Sequence, residues 1–150
     1  MRLINIDNIA IVDKFIGMYG DSPVMKRNAM KVIFRKLRAE DNNYKDIMAR
    51  LGNEVYISEE EVERFGFTES EIYAAIAHEL GHVVYATRGW DPDCEQRADS
   101  FSAELGLGES MINIIEKLIY CRRYPRQVSQ FVARIHYLQN IANSNREMIG

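Results

Sequence analysis

The stretch "AIAHELGHVVYA", Ala75 to Ala86, decides how this chain is read. From Ile72 to Thr87 the only formally charged side chain is Glu79, set between His78 and His82 in an otherwise apolar run. A carboxylate in such surroundings needs a partner, because burying it unpaired is expensive. On a helix, side chains four apart share one face, so both imidazoles can meet a single cation about 2 Å from each ring nitrogen. Glu79 follows His78 by about 100° of helical rotation, which sets its carboxylate beside the cation but outside the row of ligands. There it can take a proton from a zinc-activated water and pass it to a leaving amine. Gly81 lowers helix propensity by about 1 kcal/mol relative to alanine, and its missing side chain leaves room for an element packed against the site. A lone histidine in an apolar helix is more often a hydrogen-bonded core residue. In a chain with three histidines, however, a chance His-Glu-x-x-His is on the order of a percent.

The surrounding sequence places this motif inside a helix. Thr68-x-x-Glu71 has the form of a capping box, which predicts a helix over residues 69–89. Upstream, two alternating runs flank Gly52-Asn53, a pair suited to a tight turn, and predict a hairpin of residues 46–51 and 54–58. "MKVIFRKL", residues 30–37, has the content of a strand but equally allows a helix. Asp7 is a candidate cap for a first helix over residues 8–19, with Ile9, Val12, Phe15, Ile16 and Tyr19 on one face, and Ser22-Pro23 for a short second one. Downstream, Asp91-Pro92 reads as the start of a helix running to about Gly106, followed by a helix over residues 109–120. Pro125 opens a long last helix with Val128, Phe131, Val132, Ile135, Leu138 and Ile141 at helical spacing. The expected class is α+β, in one domain over residues 1–150: a helix, a small sheet, then four helices.

Composition narrows the function classes. A net charge of -3, from 19 basic and 22 acidic residues spread along the chain, provides no basic field for phosphates and argues against nucleic acid as a partner. Cys94 and Cys121 match no zinc-ribbon or CxxC spacing, so free thiols in a reducing compartment are the simplest account, with one disulfide as the alternative. The first residues, "MRLINIDNIAIVDKF", are broken by Asp7 and Asp13-Lys14, wrong for a signal-peptide core or a membrane span. A cytoplasmic protein without a membrane span is expected.

A hydrolytic zinc site takes three protein ligands and keeps an open position. A third histidine can only be His136, but "CEQRADSFSAEL", residues 94–105, offers carboxylates. With Glu95 at zero on a helical wheel, Asp99 lies about 40° away and Ser102 near 340°, with Ala98, Leu105 and Phe101 at about 300° to 240°. Glu95 and Asp99 therefore border the apolar stripe and need partners. Glu95 is the candidate third ligand, and Asp99 the acceptor for the outer N–H of a ligating histidine. Ala98, small and inward, would let two helices approach. The competing reading makes Glu95, Arg97 and Asp99 a solvated face.

"HELGH" followed by "EQRAD" resembles the gluzincin metallopeptidases, and "ADSFSAELG" with "INIIEKL" looks like the catalytic domains of the HtpX and CAAX prenyl protease kind. The likeness spans about residues 52–120. It implies a zincin-like fold, with a small β-sheet over a central His-Glu-x-x-His helix and further packed helices. It also implies that the glutamate of Glu-x-x-Ala-Asp, here Glu95, binds zinc while Asp99 supports a histidine. The membrane helices of those proteases are absent, as in the small stand-alone forms called minigluzincins. Where the family often has His-Pro, this chain has Tyr124-Pro125. Glu95-x-x-Ala98-x-x-Phe101-Ser102-x-x-Leu105 is similar as well to the ImmA/IrrE regulatory metallopeptidases, which act on repressors, although no helix-turn-helix is evident.

An oxyanion formed in such a site needs a further donor, and His136, Tyr124, Arg134 and Tyr137 are the candidates. Cys94, beside Glu95, could present an inhibitory thiolate, although ordinary packing is the simpler role. If "EVYIS", residues 54–58, were a sheet edge, an extended peptide could pair with it; the alternative is an inner strand. The expected function is zinc-dependent endopeptidase activity on a peptide or protein substrate, through His78, His82, Glu95 and Glu79. The alternatives are a latent or non-catalytic zinc-binding regulatory domain, including an ImmA-like repressor-directed protease, and a helical interaction protein in which the motif is coincidental.

Overall fold

A computed structural model describes residues 1–85 and 93–149, with side chains through residue 145. The expected Asp91-Pro92 helix start and the helix end near Gly89 lie outside the described residues. The chain is α+β and divides into two compact units, Met1–Tyr73 and Ala74–Gly150.

The first unit holds β1 (Arg2–Asn5), α1 (Ala10–Tyr19), α2 (Pro23–Lys26), β2 (Lys31–Lys36), β3 (Met48–Leu51), β4 (Glu54–Ile57) and α3 (Glu59–Phe65). Its sheet has the order β1-β2-β4-β3, with β1 and β4 parallel to β2 and β3 antiparallel to β4. The hairpin turns at Gly52, whose φ of 61° is the left-handed conformation that glycine adopts without strain. Residues 31–36 are a strand, with Val32 and Phe34 fully buried on one face.

Two expectations are corrected and two elements added. "EVYI" is an inner strand, hydrogen-bonded to β2 on one side and β3 on the other, so its backbone has no free edge for a peptide. Asp7 does not cap α1. Its carboxylate accepts from the backbone N–H of Lys36 at 2.9 Å, while Asn5 brackets Ile9 through both its N–H and its carbonyl, and the helix begins at Ala10. β1 and α3 were not anticipated. α3 did carry a signal in Ser58, whose hydroxyl accepts from the Glu61 N–H at 3.1 Å, and in Gly66 at its left-handed C-terminus.

α4 (Glu69–Tyr85) starts in the first unit, where Thr68 and Glu71 form the reciprocal bonds of a capping box at 3.0 and 3.2 Å. The second unit contains its remaining turns with α5 (Cys94–Glu104), α6 (Gly108–Tyr120) and α7 (Val128–Ile149). Within this unit α5, α6 and α7 pack against one another, burying Phe101, Met111, Ile114, Ile115, Phe131 and Leu138. Each of these side chains contributes about 1.5–3 kcal/mol by leaving water. Among the described residues no helix is long and apolar enough to cross a membrane.

The Thr68→Ala variant removes one half of the box and is expected to lower stability by about 1 kcal/mol. A shift of the urea midpoint at unchanged slope would show it, and an unchanged midpoint would mean that the cap is not limiting.

Candidate metal centre

The helical phase of α4 points His78 and His82 the same way, and their Nε2 atoms stand 3.1 Å apart. Glu95, in the first turn of α5, brings its carboxylate to both: Oε2 is 2.9 Å from His78 Nε2 and Oε1 is 3.3 Å from His82 Nε2. One donor atom from each of the three residues therefore falls within 4.8 Å of the others, and this group could hold a metal ion. The pairing of two imidazole nitrogens across 3.1 Å is itself informative, since only one can carry the proton of a direct hydrogen bond. A cation would satisfy both at once.

Behind this group lies Asp99, one turn further along α5 and with no exposed surface. Its Oδ1 meets His78 Nδ1 at 2.8 Å, so the two nitrogens of His78 have separate roles. Nδ1 is held by a carboxylate, and Nε2 is turned to His82 and Glu95. Asp99 in turn receives Nε and Nη2 of Arg134 from α7, at 2.8 and 2.9 Å, while Nη1 of that guanidinium is 3.6 Å from Glu95.

The helices can meet here because nothing stands between them. A Cβ on Gly81 would lie 2.7 Å from Ala98 Cα, 2.8 Å from the Ala98 carbonyl oxygen and 2.9 Å from Phe101 Cβ. Gly81 is required by this contact, which brings the backbone of α5 at the fully buried Ala98 against α4. Ser102 ties the same pair further along, its hydroxyl donating to the Ala74 carbonyl at 2.9 Å.

The charges are tightly coupled. Burial opposes the His78 imidazolium, but hydrogen bonds to Asp99 and Glu95 and the charge of Asp99 outweigh it and push its pKa up to about 9. Burial likewise opposes the Glu95 carboxylate, and hydrogen bonds from His78 and His82 overcome this and hold it well below the ordinary carboxylate range. Asp99, despite its burial, is held down by Arg134 and His78. The two carboxylates that would attract a divalent cation thus keep a proton on His78 when no cation is bound.

The remaining candidates stand elsewhere. Glu79 is half-buried one residue beyond His78; burial opposes the Arg134 guanidinium, but the hydrogen bonds and charge of Asp99, then the charges of Glu95 and Glu79, raise its pKa. His136 is exposed, about 200° around α7 from Arg134. Tyr124 packs edge-on against Phe131 with ring centroids 6.2 Å apart. Cys94 and Cys121 are both free thiols, and Cys121 donates to the Leu118 carbonyl. Arg134, one of the four candidate oxyanion donors, instead turns its guanidinium to Asp99 and Glu95. The sequence signal for that role was a single cation on the apolar stripe of α7, between Phe131 and Leu138.

No family model, curated protein or solved structure matches this chain.

Two outcomes are expected. Gly81→Ala should destabilise the protein by about 1–3 kcal/mol, the usual effect of overpacking, because the added methyl meets Ala98 backbone and the Phe101 Cβ, neither a flexible side-chain end, and this outweighs the gain in helix propensity. Thermal unfolding measures this, and a stabilised variant would contradict the contact. For the metal-free protein, the raised His78 pKa contributes stability that is complete below the unfolded value of 6.5 and lost as pH rises through about 9. The depressed Glu95 and Asp99 contribute stability that is complete above their unfolded values of 4.5 and 3.8 and lost as pH falls through their folded ones. Urea unfolding across pH 5 to 10 should show the alkaline decline, and a flat profile would mean that His78 is not protonated.

Proposed function

We propose that this chain is a zincin-like, zinc-dependent endopeptidase of the gluzincin kind, with His78, His82 and Glu95 holding zinc and Glu79 as general base. The observation that carries this reading is the convergence of two Nε2 atoms and one carboxylate from adjacent helices. With ligand bonds of about 2.0–2.1 Å, the edges of a zinc tetrahedron are about 3.3 Å. The 3.1 Å between the two imidazole nitrogens and the 2.9 Å from His78 to one Glu95 oxygen approach that size, and with one donor atom per residue the three lie within 4.8 Å of one another. Two imidazoles and one carboxylate also form a donor set suited to zinc, and three ligands leave a fourth position for water.

When bound, zinc supplies Lewis-acid polarisation and makes a water acidic near neutral pH. The protein's own residues do the rest. Asp99 fixes His78 with Nε2 toward the cation. Glu79, adjacent in sequence but rotated out of the ligand row, accepts the proton of the attacking water and returns it to the leaving amine. Gly81 and Ala98 keep α5 close enough for Glu95 to complete the ligand set.

A zinc-binding domain without turnover, whether latent or regulatory, is the second reading. It is favoured by the engagement of Arg134 with carboxylates and the exposure of His136, which leave neither as an evident donor to an oxyanion.

Elemental analysis of the purified protein is expected to give one zinc per chain. A peptide library should be cleaved by the wild type, and Glu79→Gln should lower the rate about 10²- to 10⁴-fold while retaining zinc. Removal of zinc by a chelator should abolish cleavage, and adding zinc should restore it. Cleavage that survives Glu79→Gln sinks the mechanism, and bound zinc without any cleavage favours the second reading. A protein that takes up no zinc defeats both.

A further inference from the structure

We infer that Arg134 is a positioning residue of the metal centre: from α7 it fixes Asp99 and Glu95, so that His78 and Glu95 present their donor atoms to one point before any cation arrives. This rests on the zinc-site reading above and deepens it. The guanidinium is 5% exposed, which excludes a surface ion pair. Its Nε and Nη2 grip the two oxygens of Asp99 at 2.8 and 2.9 Å, a forked contact that sets the plane of the carboxylate. With that plane set, Oδ1 can reach His78 Nδ1 at 2.8 Å, and the orientation of the ring follows. The third nitrogen, Nη1, stands 3.6 Å from Glu95 Oε2, restraining the ligand that α5 supplies. Phe131, one turn earlier on α7, lies against the guanidinium with its ring centroid 5.9 Å from Cζ and limits its swing. One side chain on α7 thus constrains a ligand on α4 through Asp99 and another on α5 through its charge.

The test is zinc affinity by chelator competition, together with the visible absorption of the cobalt(II)-substituted protein, for the wild type, Arg134→Met, Arg134→Lys and Asp99→Asn. Circular dichroism of each metal-free variant reports folding. Arg134→Met should weaken zinc about 10- to 100-fold and alter the cobalt bands. Arg134→Lys should recover little of this, since an ammonium is a point charge without the fork. Because much of the effect passes through Asp99, adding Arg134→Met to Asp99→Asn should cost less than it does alone. A folded Arg134→Met that binds zinc within about twofold of wild type, with an unchanged cobalt spectrum, overturns the inference, because a merely stabilising residue would move only the melting temperature. If Arg134→Met does not fold, Arg134→Lys, which keeps a buried cation but not the fork, decides: affinity within about twofold of wild type with an unchanged cobalt spectrum overturns the inference, and a loss of about tenfold or more upholds it. A wild type that binds neither zinc nor cobalt is a different failure and belongs to the site itself.

Discussion

A carboxylate with no exposed surface, Asp99, must be matched on every side, and the second unit is arranged around that requirement. An isolated buried carboxylate would neutralise or destabilise the fold. Here α7 supplies a guanidinium to both of its oxygens and α4 supplies an imidazole nitrogen to one. Breaking either contact leaves a charge stranded in the interior, which is far more damaging than losing a surface pair. The three helices are therefore held in a defined relation by polar chemistry as well as by apolar packing. The same relation turns His78 so that its other nitrogen faces Glu95.

The approach of α5 to α4 depends on two small residues. Between Gly81 and Ala98 the helices are separated by little more than backbone atoms, so the position of Glu95 is governed by main-chain contact. Glycine inside a helix is ordinarily unfavourable. Its presence one residue before His82 is explained by what it permits.

Much of this was legible in the sequence wherever a local pattern has one physical solution. The capping box at Thr68 and Glu71, the turn at Gly52 and the cap at Ser22 each involve residues within a few positions of one another, and each took the expected form. The wheel that put Glu95 and Asp99 at the border of an apolar stripe required only helical geometry, as did the row of His78 and His82. What failed were features settled at long range. Asp7 has the chemistry of a helix cap, but the amide of Lys36, 29 positions away, took its carboxylate. β1 has four residues and no alternating pattern of its own; its identity as a strand comes from pairing with β2. That "EVYI" is an inner strand followed from where β2 lies in the sheet, which no local pattern encodes. Arg134 carried a signal of its own, a cation on an apolar stripe, but the sequence did not specify which buried anion it would meet.

The three proposed ligands come from two helices, and this gives an occupied site a second character. A cation bridging His82 and Glu95 would tie α4 to α5 across the 12 intervening residues 83–94, and it would do so only where folding has brought its ligands together. An ion bound to the folded helices but not to the open chain adds about 1.4 kcal/mol for every tenfold excess of its free concentration over the dissociation constant. The stability of the helical unit would then track the availability of zinc in its surroundings, making the ion a structural staple as well as a reagent.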